Sequence, residues 1–428
     1  MTTNRLAIIN GLRTPIGRAG GMFKSIQADD LGALIVKEVM DRSVIHPLDI
    51  TDVFIGNVSQ PGHAANIARV IALKAGIDQQ IPAATVHRNC ASGMESISQA
   101  ANAIFSGKSS ICLVGGVESM SNIPLLFNKH MTQFFEHLSR AKTMSATLKT
   151  LVQFRPRFLK PIIGVMQGLT DPVSNLIMGL TAENLAREFH ISRDQQDQYA
   201  LESHQKAAAA TNRLAEEIYP IGLHPTYDSI FHKDECVRES QSLAALQKLR
   251  PYFDRKNGTV TVGNACPIND GACAMIVMSE QEAKRRKLTP IGFIRDYAYA
   301  GLEPERMGLG PVYATAKLLH QTKLRMTDFD LIEINEAFAA QVLACETAFG
   351  SAAFARSHLN ASQALGVIDR DRLNVNGGAI ALGHPVGMTG SRIILTLINE
   401  LRRRQRVRGL ASLCIGGGQG GAFVVEVE

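Results

Sequence analysis

The chain has 428 residues, is 45% apolar and 20% charged, and carries a formal net charge of +6. That length suffices for two or three packed units, and no run of 18 uninterrupted apolar residues offers a membrane span. The seven cysteines (Cys90, Cys112, Cys236, Cys266, Cys273, Cys345 and Cys414) are odd in number, widely spaced and without a CxxC pair. This argues against a disulfide frame or a zinc site and fits a reducing cytoplasm.

The charge is concentrated. Between Ser121 and Thr170, Lys129, Arg140, Lys142, Lys149, Arg155, Arg157 and Lys160 stand against Glu136 alone, so this segment holds the whole net +6. Phe134, Phe135, Leu138, Leu148, Leu151, Val152, Phe154 and Phe158 alternate with these charges, as in a helix lying at an anionic membrane surface. Aromatics do not interleave with basic residues in a stacking pattern, so nucleic-acid binding is not expected.

In chain order, a strand at Leu6–Ile9 opens the sequence, leaving no room for a leader or transit peptide. Thr51 to Asn57 reads as an acidic residue, a strand and a terminal Asn, followed by an Ala-rich helical run. The strand Pro82–Val86 leads into Cys90 and then a helix-compatible run, Met94 to Phe105. Unpaired N–H groups and the positive end of the dipole at a helix start favour a thiolate, which makes Cys90 a candidate nucleophile. The plainer alternative is a buried apolar cysteine. A strand at Ile111–Gly115 follows. From about Asn122 to Lys248 the pattern changes: the basic stretch comes first, then helices around Thr181–Glu188 and Arg193–Arg213, the second started by Ser192 and Asp194.

The last third repeats the first. Asp328 to Asn335 again gives acid, strand and terminal Asn, before an Ala-rich run. Asn374 to Arg392 packs five glycines and His384 ahead of a helix at Ile393–Arg404. A strand at Leu410–Ile415 carries Cys414, then come Gly416 to Gly421 and a final strand, Ala422–Val427. Cys90 and its helix correspond to His384 and its helix, so the expectation from pseudo-symmetry is that the two side chains meet. Strand–helix alternation implies α/β units with parallel strands. Gly416-x-Gly418-x-x-Gly421 satisfies GxGxxG literally, but a strand and the chain end follow it where a dinucleotide site needs a helix and a later acidic residue.

Eight blocks taken in order resemble the thiolase family: Arg13-Thr14-Pro15-Ile16-Gly17, Asn89-Cys90-Ala91-Ser92-Gly93, Gly115 to Ser121, Met178 to Asn184, Gly258 to Thr261, Asn335-Glu336-Ala337-Phe338, Gly383-His384-Pro385, and Cys414 to Gly418. The resemblance implies an α/β fold of duplicated βαβαβαββ halves, packed as a layered α/β/α/β/α sandwich, plus a loop domain. The expected division is an N-terminal half at 1–121 completed by about 249–287, a loop domain at 122–248 with a basic insertion at 125–177, and a C-terminal half at 288–428.

The implied activity is that of a coenzyme-A-dependent C-acyltransferase, with coenzyme A as co-substrate and neither metal nor permanently bound cofactor. Cys90 is implied as acyl carrier, His384 as its base, and Cys414 as proton donor or acceptor at the α-carbon. Asn335 is implied to hold a water in one oxyanion hole, and the backbone N–H groups of Cys90 and Gly416 to form another. Met178, Cys266 and Phe338 are implied contacts of the coenzyme A arm.

There are departures. Ile177 stands where short-chain members commonly have His, and Cys266 where many relatives have Ser. The insertion resembles the β subunit of the fatty-acid-oxidation trifunctional complex, yet that subgroup usually has His where this chain has Asn335. A cytoplasmic homodimer or tetramer, an α-subunit partner and an anionic membrane surface at 125–170 follow as expectations. A short-chain acetoacetyl-CoA thiolase is the nearest alternative. A decarboxylating ketosynthase would want His or Asn in place of Cys414, and a catalytically silent membrane-docking subunit would not need the full set of Cys90, His384 and Cys414.

Overall fold

The computed structural model describes residues 5–222 and 229–428. The first half runs β1 (Leu6–Arg13), α1 (Ala28–Asp41), β2 (Asp52–Gly56), α2 (Ile67–Lys74), β3 (Ala83–Val86), α3 (Ser92–Phe105) and β4 (Ile111–Ser119). An excursion follows with α4 (Lys129–Arg140), α5 (Met144–Val152), α6 (Met178–Glu188) and α7 (Arg193–Ala209). The chain then returns as β5 (Asn269–Ser279). The second half runs β6 (Gly292–Gly301), α8 (Gly310–Thr322), β7 (Leu331–Ile334), α9 (Ala339–Gly350), α10 (Val386–Arg403), β8 (Arg408–Ile415) and β9 (Gln419–Glu426).

The strands form one continuous sheet in the order β7-β8-β9-β6-β1-β5-β4-β2-β3. Its two halves mirror each other across the antiparallel β1–β6 pair. Parallel pairing is confined to β3–β2–β4 and to β7–β8. The parallel strands expected of the α/β units are these, while β5 and β9 run antiparallel to their neighbours. Each of these strands enters from a loop or tight turn and not from a crossover helix, so nothing obliges it to run parallel.

Alternation along the strands sorts side chains into three apolar clusters, which separate five layers. Ala272, Ala274, Ile276 and Met278 of β5 face α1 and α2. Cys273, Met275 and Val277 face the middle layer, where α3 and α10 lie between the sheet halves. On the far side, Leu410, Cys414, Ala422 and Val424 face α8 and α9. With both faces covered, strands such as Ala272–Met278 are apolar almost throughout.

The middle layer positions the site. α10 is buried around most of its circumference. It begins directly after Pro385, earlier than the expected Ile393, because the glycine-rich run is itself the first turn. There it meets the start of α3 backbone to backbone. A Cβ on Gly93 would lie 2.6 Å from Ser391 N, and one on Gly390 would lie 2.5 Å from Met94 N. Only glycine permits that approach.

Two other boundaries shift. The helix expected over Arg193–Arg213 stops at Ala209, with a separate short turn at Thr211–Leu214. Its start at Ser192 is a full capping box with Gln195. At the C-terminus only Gly416 to Gly418 form the turn, Gly417 and Gly418 having φ of +88° and +78°, while Gly420 and Gly421 belong to β9.

Candidate active site

Cys90 sits between the end of β3 and the start of α3, in a turn knitted by Ser92. The Ser92 hydroxyl donates to Asn89 O at 2.7 Å and accepts from Arg88 N–H at 2.9 Å. Asn89 adopts φ +44°, a left-handed conformation that Asn tolerates better than most residues. The Gly416 N–H acts on the Cys90 thiol. The residue keeps part of its surface open, but its thiol is surrounded by protein. Burial raises its pKa, against the N–H groups of Gly416 and Cys90 itself, which lower it. The sequence expectation of a helix-stabilised thiolate is thus corrected: desolvation outweighs the helix start, and the resting group is a neutral thiol.

His384 stands on the opposing helix start. Gly383 precedes it at φ +115°. Its own N–H donates to Asn269 Oδ1 at 2.9 Å, and its Nδ1 lies 2.7 Å from Thr389 Oγ1. Nε2 has no protein partner among the described residues. Burial, with Arg392 nearby, lowers the imidazole pKa to about 3, so His384 is neutral at physiological pH. Beneath the same turn, Glu118 Oε2 accepts from the Gly387 N–H at 2.9 Å and Glu118 also takes N–H groups from Val58 and Ser59. Burial pushes this carboxyl up to about 7.

Cys414 is the next-to-last residue of β8 and is buried. Its pKa is raised well above the ordinary thiol value by burial, then by the charges of Cys90, Cys345 and Cys266. Cys266 responds the same way, pushed up to about 12 by burial and by Cys90. Its N–H donates to Ala337 O at 3.0 Å, which lays its loop alongside Asn335–Phe338. The thiols of Cys90, Cys414 and Cys266 therefore share one electrostatic environment.

Asn335 caps β7, its N–H bonded to Ser412 O at 2.9 Å. Neither its side-chain oxygen nor its nitrogen has a partner among the described residues, though both are buried. Such atoms are costly unless a ligand or water meets them. The following Glu336 is tied down by Tyr199 and Ser203 hydroxyls at 3.1 and 2.6 Å, by Asn374 Nδ2 at 3.0 Å and by Ile380 N–H at 3.2 Å. This anchors the loop that carries Asn335.

Met178 begins α6 with its sulfur over the glycine turn, 3.4 Å from where a Gly416 Cβ would sit. Phe338 is placed less favourably for a ligand: its ring is buried and packs edge-on against Phe253 at 5.9 Å. Sequence reasoning missed Asn89, Glu118, Asn269 and Thr389. For Thr389 a signal existed, since it stands one helical turn after Pro385. The other three act through contacts distant in sequence.

Comparison with known proteins agrees with this arrangement. Residues 6–281 match the family described as Thiolase, N-terminal domain, and residues 288–427 match Thiolase, C-terminal domain. A 3-ketoacyl-CoA thiolase of Yersinia enterocolitica is 39% identical over 99% of this chain and 97% of its own. An acetyl-CoA acetyltransferase of Cupriavidus necator is 39% identical over 98% of this chain and 99% of its own. The crystal structure of human mitochondrial 3-ketoacyl-CoA thiolase in complex with CoA is similar at TM-score 0.84 and 36% identity, covering 100% of this chain and 98% of that one.

Proposed function

The chain belongs to the thiolase family, and we propose that it acts on 3-ketoacyl-CoA thioesters longer than four carbons through an acyl group carried on Cys90. It is a coenzyme-A-dependent C-acyltransferase: it cleaves 3-ketoacyl-CoA with CoA, or joins two acyl-CoA molecules in the reverse direction. What supports the residue roles is the meeting of α3 and α10, which follow Cys90 and His384, backbone to backbone at Gly93 and Gly390.

In the cleavage direction His384 Nε2 takes the Cys90 proton as sulfur attacks the keto carbon. The bond between C2 and C3 breaks, and the electron pair left on C2 takes the Cys414 proton, releasing acetyl-CoA. The thiol of an incoming CoA passes its proton to the Cys414 thiolate. CoA sulfur then attacks the acyl group, and the departing Cys90 thiolate recovers its proton from His384. Asn335, through a held water, and the N–H groups of Cys90 and Gly416 receive the carbonyl oxygens as they become negative. Neutral Cys90 and His384 in the resting site place the proton transfer within the attack itself. No permanently bound cofactor enters these steps.

The chain length rests on Ile177, an apolar residue at the N-cap of α6 next to Met178, whose sulfur lies over the glycine turn. Each buried methylene contributes about 0.8 kcal/mol, so four contribute about 3 kcal/mol. With partial burial this raises kcat/KM roughly 10- to 100-fold. Asn335 favours the competing short-chain reading. Thiolysis of four-, eight- and sixteen-carbon 3-ketoacyl-CoA decides: a rise in kcat/KM beyond four carbons is expected, a monotonic fall refutes the length assignment, and no cleavage at any length refutes the Cys90 mechanism.

The assembly and location are read as follows. β3 ends the sheet with an open, half-exposed edge directly beside Cys90. An open edge invites pairing, and a second copy of the chain is the partner assigned to it. The basic insertion is assigned to an anionic membrane surface or an α subunit, which makes the protein a peripheral cytoplasmic one. Among the described residues no helix is long and apolar enough to cross a membrane.

A further inference from the structure

Gly416 is gripped at both ends by two successive residues from the other half of the chain. The Asn89 side-chain amide donates to Gly416 O at 2.7 Å, and the Gly416 N–H faces the Cys90 sulfur. The first contact joins positions 327 residues apart. Asn89 holds φ +44° to make it, in a turn that the Ser92 hydroxyl fixes from both sides. A second tether runs parallel: Arg88 donates to Gln419 Oε1 at 3.2 Å, while its Nε pairs with Glu95. Gly416 itself has little else to hold it. It is flanked by Gly417 and Gly418, both at positive φ, and the space where its Cβ would project meets only Met178 Sδ at 3.4 Å and Asn89 Nδ2 at 3.7 Å. Three consecutive glycines are the most flexible backbone a chain can offer, and an N–H on such a segment is a poor preorganised donor unless something fixes it.

We propose that Asn89 is a positioning residue that locks the Gly416 peptide in the orientation its N–H needs to face the sulfur and the developing oxyanion at Cys90. The inference rests on the thiolase reading of the site. Asn suits the role twice over: it accepts a left-handed φ at small cost, and its amide has an N–H to give. Displacement of a preorganised donor by about 1 Å is enough to cost up to about 100-fold in rate.

The test uses the full-length enzyme and two variants. Asn89→Gly keeps access to positive φ and removes the amide. Asn89→Asp keeps shape and φ tolerance but turns an acceptor toward the Gly416 carbonyl. Both are expected to lower kcat for thiolysis roughly 10- to 100-fold with KM for the thioester within about twofold. A second readout does not depend on turnover: the pH midpoint for alkylation of Cys90 by iodoacetamide, followed by intact mass. Loss of the ordered N–H is expected to move that midpoint upward in both variants. An unchanged midpoint in Asn89→Gly overturns the proposal, and so does wild-type kcat. A wild-type protein that cleaves no 3-ketoacyl-CoA, while its alkylation midpoint still moves on Asn89→Gly, removes the thiolase reading and leaves the clamp standing. If Asn89→Gly melts well below the wild type, Asn89→Asp decides by the same two readouts.

Discussion

The Thr389 hydroxyl donates to the Pro385 carbonyl at 2.9 Å, and therefore it can only accept from His384 Nδ1, 2.7 Å away. A hydroxyl has one proton, and the bond back to the preceding helical turn uses it. The proton on His384 is thereby assigned to Nδ1. The lone pair falls on Nε2, the atom without a partner among the described residues. One threonine thus decides which ring nitrogen is the base.

Replacing that threonine tests the assignment. Thr389→Val keeps shape and removes the acceptor, so the imidazole is free to turn over or change tautomer. A fall in kcat of roughly 10- to 100-fold is expected, the usual cost of losing an orienting partner of a functional histidine. Thr389→Ser should recover most of it. A valine variant with wild-type kcat would show that His384 needs no such partner.

Cys414 and Cys90 should separate cleanly by experiment. Cys90 carries the acyl group, and Cys414 handles the proton at carbon. Cys414→Ala incubated with acetyl-CoA is expected to show an acetyl adduct on Cys90 by intact mass, with condensation lost. Absence of the adduct in a folded variant would place Cys414 in the acylation step and sink this division of labour.

The elements bearing Cys90, His384, Cys414 and Asn335 were legible because each chemical group stands at the end of a patterned run, and the first three have glycine close by. The repeat of acid, strand and Asn at 51–57 and 328–335 made the pseudo-symmetry legible as well. Protonation states were not. A helix start argues for a thiolate at Cys90, but burial depends on β8, β9 and α10, which arrive from the other half of the sequence, and burial wins. Asn89, Glu118 and Asn269 were illegible for the same reason: their partners Gly416, Gly387 and His384 lie more than a hundred residues away. β5, apolar on both faces, carries no alternation from which its antiparallel direction could be read.

His384 and Glu118 make opposite contributions to acid stability. The imidazole pKa is depressed from 6.5 to about 3 by burial, so its share of stability is present above about 6.5 and is lost as pH falls toward 3. The Glu118 carboxyl is raised from 4.5 to about 7, so its share is present below about 4.5 and is lost as pH rises toward 7. Between those limits each changes by about 1.4 kcal/mol per pH unit. Urea unfolding from pH 4.5 to 6 reads the signs. The wild-type advantage over His384→Asn should grow as pH rises, and the advantage over Glu118→Gln should shrink. Equal slopes for the two variants would contradict both protonation states.

The basic insertion should bind anionic vesicles through one particular face. Phe134 is buried and packs against Phe135, Phe154 and Phe158 at 5.9, 5.5 and 6.3 Å. This corrects the expectation that all the apolar residues of the segment face a membrane: Phe134, Phe154 and Phe158 build a small core between α4, α5 and the turn after them. The outward set is Leu125, Phe127, Phe135, Met144, Leu148 and Val152, all exposed. They share the segment with seven basic residues and Glu136 alone. Basic residues near an anionic surface contribute about 1 kcal/mol each at low salt, and screening shortens their reach to about 3 Å at 1 M. Co-sedimentation with phosphatidylserine vesicles is therefore expected at low ionic strength and should weaken severalfold at high salt. Phe135→Ser with Leu148→Ser should weaken it further at unchanged melting temperature, whereas Phe134→Ser should destabilise the hairpin itself. Binding that is absent at low salt, or indifferent both to salt and to the outward pair, would assign this surface to something other than a membrane.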